Sequence, residues 1–179
     1  MTPINTTVLS TARLSGVCLA ASALLGGCLG DEPTETDDPI SEAVSESAAQ
    51  CEGGNNGFID IPDNLLGASH PRRGTIAPGV TVTLEVGTVA GRQRGWAKLT
   101  GSTRPGDLVW MDWTNSWRPG GPPEGQWLQC GPFRVDTAGM SKTSAAKQTS
   151  SLTSWRFRAC GRRPPADSVC AGGLVNGWW

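Results

Sequence analysis

The 179-residue chain has no tyrosine, three phenylalanines and a single histidine, His70. One imidazole removes metal sites built on several histidines and leaves a nucleophile–histidine relay no centre except His70, which stands beside Pro71 in a turn-like context. GxSxG and HExxH are both missing. Charged residues make up only 17% of the chain, and no uninterrupted apolar run reaches the roughly 18 to 20 residues of a membrane-spanning helix. What is plentiful is glycine (24) and proline (13), which favour many short elements joined by turns, together with eight tryptophans and six cysteines.

The formal charge of −1 averages three unlike segments. Residues 1–27 carry one charged side chain, Arg13; residues 28–50 carry seven acids and no base; residues 51–179 carry 14 bases against 9 acids, or +5. Arg13 precedes LSGVCLAASALLGG, an uncharged stretch of 14 residues that suits a signal h-region and is too short to span a bilayer. Residues 29–50 are rich in Asp, Glu, Ser, Thr and Pro and poor in large apolar side chains, so they are expected to form a disordered tether. A marginal helix over 41–50, capped by Ser41, is the one element they could form.

The h-region ends in Leu25-Gly26-Gly27-Cys28, which resembles the lipobox of bacterial lipoproteins. The resemblance implies cleavage before Cys28, diacylglycerol on its thiol, and a membrane-anchored envelope protein; Leu29 after the cysteine is similar to outer-membrane sorting in diderm bacteria. The alternative is an ordinary signal cleaved after Gly30, releasing a soluble secreted protein.

From Cys51 onward the pattern is strand-like. Val80, Val82, Leu84 and Val86 alternate with Thr81, Thr83 and Glu85, predicting a strand with one buried face. Further strands are expected at Trp96–Leu99, Leu108–Trp113, Gln126–Cys130 and Ser154–Cys160, with Phe58–Ile61 at an edge. Residues 138–152 read as a long surface connection. The expected fold is all-β: an antiparallel sandwich or barrel of about six short strands, disulfide-stapled, over residues 51–179. With large aliphatics sparse, the tryptophans must supply much of its core.

If Cys18 leaves with the signal and Cys28 carries lipid, then Cys51, Cys130, Cys160 and Cys170 remain, an even number suited to two disulfides in an oxidising compartment. Three pairings are open. Cys160 with Cys170, closing a short loop, and Cys51 with Cys130 form the preferred pair, though spacing alone does not decide. No metal and no cofactor are expected: CxxC pairs are missing, Asp60, Asp63 and Asn64 lack EF-hand spacing, and the GGNNG run at 53–57 lacks the lysine of a phosphate loop.

The segment LVWMDWTNSW (108–117) concentrates three tryptophans around one carboxylate. In a strand, Trp110 and Asp112 share one face and Met111 and Trp113 the other, so an inward Met111 presents Trp110 and Asp112 outward. With Trp113, Trp117 and Trp127 they form a candidate ligand surface suited to stacking and hydrogen-bonding a sugar; the competing reading is that these indoles fill the core. Arg156 and Arg158 alternate with Trp155, Phe157 and Ala159, which makes them, with Lys98, a candidate basic surface, against the plainer reading of scattered solvated charges.

The runs QCGPF (129–133) and WRFRACG (155–161), with the terminal Trp178-Trp179, are similar to small exported bacterial domains of unknown function, which imply no activity or site. The terminal indoles are expected to dock on the domain near Cys170. The functional expectation is a cell-envelope lipoprotein whose β domain is a non-catalytic module binding a glycan, an anionic envelope polymer or a protein partner, with nucleic acid disfavoured. An inhibitor displaying Ser69–Arg73 or loop 118–125 belongs to the same class. The alternative is a small secreted hydrolase using Asp107, Asp112 or Glu124.

Overall fold

Apolar alternation becomes strand wherever turn chemistry allows neighbouring segments to pair. The computed structural model describes residues 44–173 and 176–179; the expected signal segment, the expected lipidation site Cys28 and the greater part of the expected tether lie outside them. In chain order the elements are β1 (Val44–Glu46), α1 (Ala48–Glu52), a 3₁₀ turn (Asn55–Gly57), β2 (Phe58–Ile59), β3 (Ser69–Ala77), β4 (Val80–Val89) and β5 (Arg92–Gly101). They continue with β6 (Leu108–Thr114), β7 (Leu128–Arg134), β8 (Lys142–Thr143), β9 (Ala146–Gln148), β10 (Arg156–Arg162) and β11 (Val169–Cys170).

These strands make two sheets, ordered β1-β7-β6-β10-β11 and β2-β9-β5-β4-β3, with β8 also on β5. Neither closes into a barrel, so the fold is a disulfide-stapled all-β sandwich. Val80, Val82, Leu84, Ala97 and Leu99 from one sheet and Val109, Met111, Trp113, Phe133, Phe157 and Ala159 from the other form the main core. Gly161 makes close approach possible there, since a Cβ would lie 3.0 Å from the Leu108 carbonyl oxygen and 3.3 Å from Ile76. Cys51 pairs with Cys130 and Cys160 with Cys170, and these bonds suit an oxidising compartment.

Several expectations change. The described body begins at Val44 rather than Cys51: β1 pairs in parallel with Leu128–Cys130, and Ser47, not Ser41, caps α1. The physical reason is the staple from Cys51 to β7, which holds the preceding residues against an edge whose backbone groups need partners. Residues 138–152 include β8 and β9, because small side chains at Thr143, Ser144, Ala145 and Ala146 fit against β5; the Ser144 hydroxyl accepts from the Ala97 N–H.

The far face of β4 is covered as well. Thr83 and Glu85 are buried because the segment after β2 folds over them. That segment brings Ile61 and Leu65 onto Trp96, and Glu85 Oε2 accepts from the Gly67 N–H at 2.8 Å. His70 belongs to β3 rather than a loop, and its Nδ1 lies 2.7 Å from Glu85 Oε2. Among the described residues, no helix is long and apolar enough to cross a membrane.

Candidate functional site

Antiparallel register on β6 and β10 sets Arg158 opposite Asp112 and Cys160 opposite Trp110, all on the outer face of their sheet. Trp110 and Asp112 do share that face, as the sequence indicates, yet it is not open: Trp110 is 9% exposed and Asp112 1%. Two nitrogens of Arg158 converge on Asp112 Oδ2, at 2.9 and 2.7 Å. Arg158 in turn lies against Trp178 and Trp127, at 4.6 and 5.6 Å from their ring centres. Sequence parity correctly places these side chains on one face but says nothing of the C-terminal tail that roofs it.

Burial pushes the Asp112 carboxyl up to about 6, against the opposing pull of Arg158 and of the Trp110 indole N–H. Asp112 and the sulfurs of Cys160 and Cys170 form a tight cluster, with Cys160 Sγ 3.5 Å from Asp112 Oδ2. Those sulfurs are bonded to each other and offer no thiolate to a metal.

A cleft of about 550 Å³ opens beside the start of β10. Arg72 from β3, Arg156 and Phe157 from β10, Trp117 from the loop after β6, and Trp178 and Trp179 from the tail line it. Each wall has a local cause. The Thr114 hydroxyl donates to the Gln126 carbonyl and accepts from the Ser116 N–H, rooting both ends of the 115–127 loop, and the Trp117 N–H donates to the Ser154 carbonyl. The tail is held by two backbone bonds between Phe157 and Trp179. It is also held by the Gly172 N–H on the Arg73 carbonyl, with Gly172 at φ +80° and the Arg72 shaft packed over it.

Inside the cleft Trp117 meets Trp178 at 5.8 Å and 46°, and the Arg156 guanidinium lies 5.9 Å from the Trp117 ring. Trp117 is half-buried and Trp179 exposed, so indole surface is available to a ligand. Arg156 and Arg72 each donate to a main-chain carbonyl, of Trp155 and Pro71, and neither meets a carboxylate among the described residues. Among the described residues, no acidic side chain lines the cleft.

The remaining candidates disperse. Trp113 is buried, edge-on to Trp155 at 5.1 Å, with the Lys147 ammonium over its ring. Lys98 is buried, not part of a basic surface: it donates to the Leu65 carbonyl under the covering segment, and burial lowers its pKa. Among the hydrolase candidates, Asp107 is gripped in a fork by Arg163 at 2.8 and 2.6 Å and Asp112 by Arg158. Five residues of extended chain separate Asp107 and Asp112, about 16 Å, beyond the range over which a glycosidase pair works. Sequence reasoning put Trp117 on an aromatic surface and Arg156 on a basic one; the structure joins them and adds Arg72, Trp178 and Trp179. Comparison with protein-family models, with curated proteins and with solved structures finds no match to this chain.

Proposed function

We propose that this chain is a cell-envelope lipoprotein, anchored through lipid on Cys28, whose β domain binds an anionic ligand without chemical turnover. The observation that carries the binding part is the cleft: two arginines that meet no carboxylate among the described residues, set among tryptophans, with no acidic side chain among the described residues of its walls. Arginines elsewhere on this domain, such as Arg158 and Arg163, are neutralised by aspartates. An arginine kept unpaired beside apolar surface offers charge and a planar donor fork to an incoming anion. The two disulfides and the lipobox-like LGGC at 25–28 support an exported setting for such a module.

Equilibrium binding of the full-length protein to a panel of soluble anionic and neutral oligomers, at low and moderate salt, tests the reading. Binding confined to anionic members, and weakened when Arg72→Gln and Arg156→Gln are combined, is the expected result. Equal binding by neutral members, or indifference to the double substitution, counts against it. Anchoring is tested separately by fractionation: Cys28→Ala should move the protein from membrane to soluble fraction.

A further inference from the structure

Resting on that reading of the cleft, we infer that its ligand is a carboxylated sugar unit of an acidic polysaccharide. Charge disfavours a neutral glycan as the best fit, because Arg72 and Arg156 contribute two positive charges to walls whose described residues carry no acidic side chain. A guanidinium fork matches a carboxylate in two parallel hydrogen bonds, so each arginine suits one planar acid group.

The aromatic walls exclude a bare small anion as the best fit. Phosphate needs converging donors, whereas here Trp117 and Trp178 meet at 46° and Trp179 adds an indole that is 37% exposed, giving broad apolar surface beside the charges. A pyranose carrying a carboxyl presents C–H faces to indoles and the acid at its rim to arginine. The concavity of about 550 Å³ lies within the roughly 300 to 1,000 Å³ of small-ligand sites, a size suited to ring-by-ring recognition rather than to a flat protein interface.

A second arginine-rich hollow on the domain, lined by Arg104, Arg134 and Arg163, makes the contrast. Asp107 already occupies Arg163 there, and no aromatic ring lines it. The Trp117 cleft, by contrast, combines arginine forks that meet no carboxylate among the described residues with stacking surface.

The test is calorimetric titration of the oxidised full-length protein with alginate and polygalacturonate hexamers, maltohexaose, hexaglutamate and tripolyphosphate. The expected result is binding of at least one uronate hexamer in clear preference to the other three probes. Arg72→Gln, Arg156→Gln and Trp179→Ala should each weaken it about tenfold or more. Arg156→Lys should fall between wild type and Arg156→Gln, because charge is retained and the fork is lost. Half-exposed or exposed positions are chosen so that the variants fold, which far-ultraviolet circular dichroism verifies.

Binding of hexaglutamate or tripolyphosphate as tightly as the uronates overturns the saccharide assignment and leaves the anionic reading standing. Equal binding of maltohexaose, or binding of no probe, overturns both. Uronate binding unchanged in all three variants overturns the location.

Discussion

Asp112 is 1% exposed, and its folded carboxyl holds a proton up to about pH 6, while an unfolded aspartate titrates near 3.9. Between those values the folded state binds more protons, so Asp112 favours folding most below about pH 4, and that advantage is lost as pH rises through about 6. Two pKa units correspond to about 3 kcal/mol. Asp107 has the opposite sign: hydrogen bonding to Arg163 lowers its pKa, so its contribution is present above the unfolded value and is lost as pH falls through the folded one. In urea unfolding across pH 3 to 7, Asp112→Asn should remove the decline between pH 4 and 6, and Asp107→Asn should flatten the acid limb. Unchanged slopes would contradict both assignments. At this scale the sequence showed the shared face of Trp110 and Asp112 through strand parity. It did not show which arginine meets which aspartate, because the partners lie 46 and 56 residues away.

Among the elements, β4 and β5 were readable because alternation and turn residues are local signals. Their hairpin turns on Ala90 and Gly91, both with positive φ, the primed geometry that matches strand twist. Alanine there is strained, so Ala90→Gly should stabilise the domain by about 1 kcal/mol in thermal or urea unfolding; a loss of stability would show that the turn is not as described. Strands β8 and β9 were illegible: their Thr, Ala, Lys and Gln form a pattern neither apolar nor alternating, and they become strands only because β5 offers a partner. The disulfides act on elements too. Cys51–Cys130 closes a far longer loop than Cys160–Cys170, 79 residues against 10. Chain entropy assigns them about 4.5 and about 2.7 kcal/mol, so the paired alanine substitution at 51 and 130 should lower the urea midpoint more than that at 160 and 170.

For the whole molecule, the tryptophan count is explained by the sandwich. Trp96, Trp110, Trp113, Trp155 and Trp178 are buried, which supplies the core that sparse aliphatics leave short, while Trp117 and Trp127 are half-buried and Trp179 is exposed. The cleft was not legible as a unit, since its walls come from β3, β10, a loop and the tail, joined by backbone pairing that no local pattern encodes. Charge distribution extends the account beyond the folded body. Glu46 sits in β1, so six of the seven acids of 28–50 precede Val44. Competition of these acids with an anionic ligand is testable: deleting 29–43 is expected to tighten binding of an anionic oligomer at low salt but not at high salt, as read by calorimetry, and unchanged affinity at low salt would contradict it. The central claim is that an anionic ligand occupies the cleft of Arg72, Arg156 and Trp117. Nitrogen-15 correlation spectra resolve the tryptophan indole N–H groups individually. On titration with a uronate hexamer, the signals of Trp117, Trp178 and Trp179 should shift while those of Trp96 and Trp113 stay in place; shifts confined to other indoles, or none at saturating ligand, would contradict it.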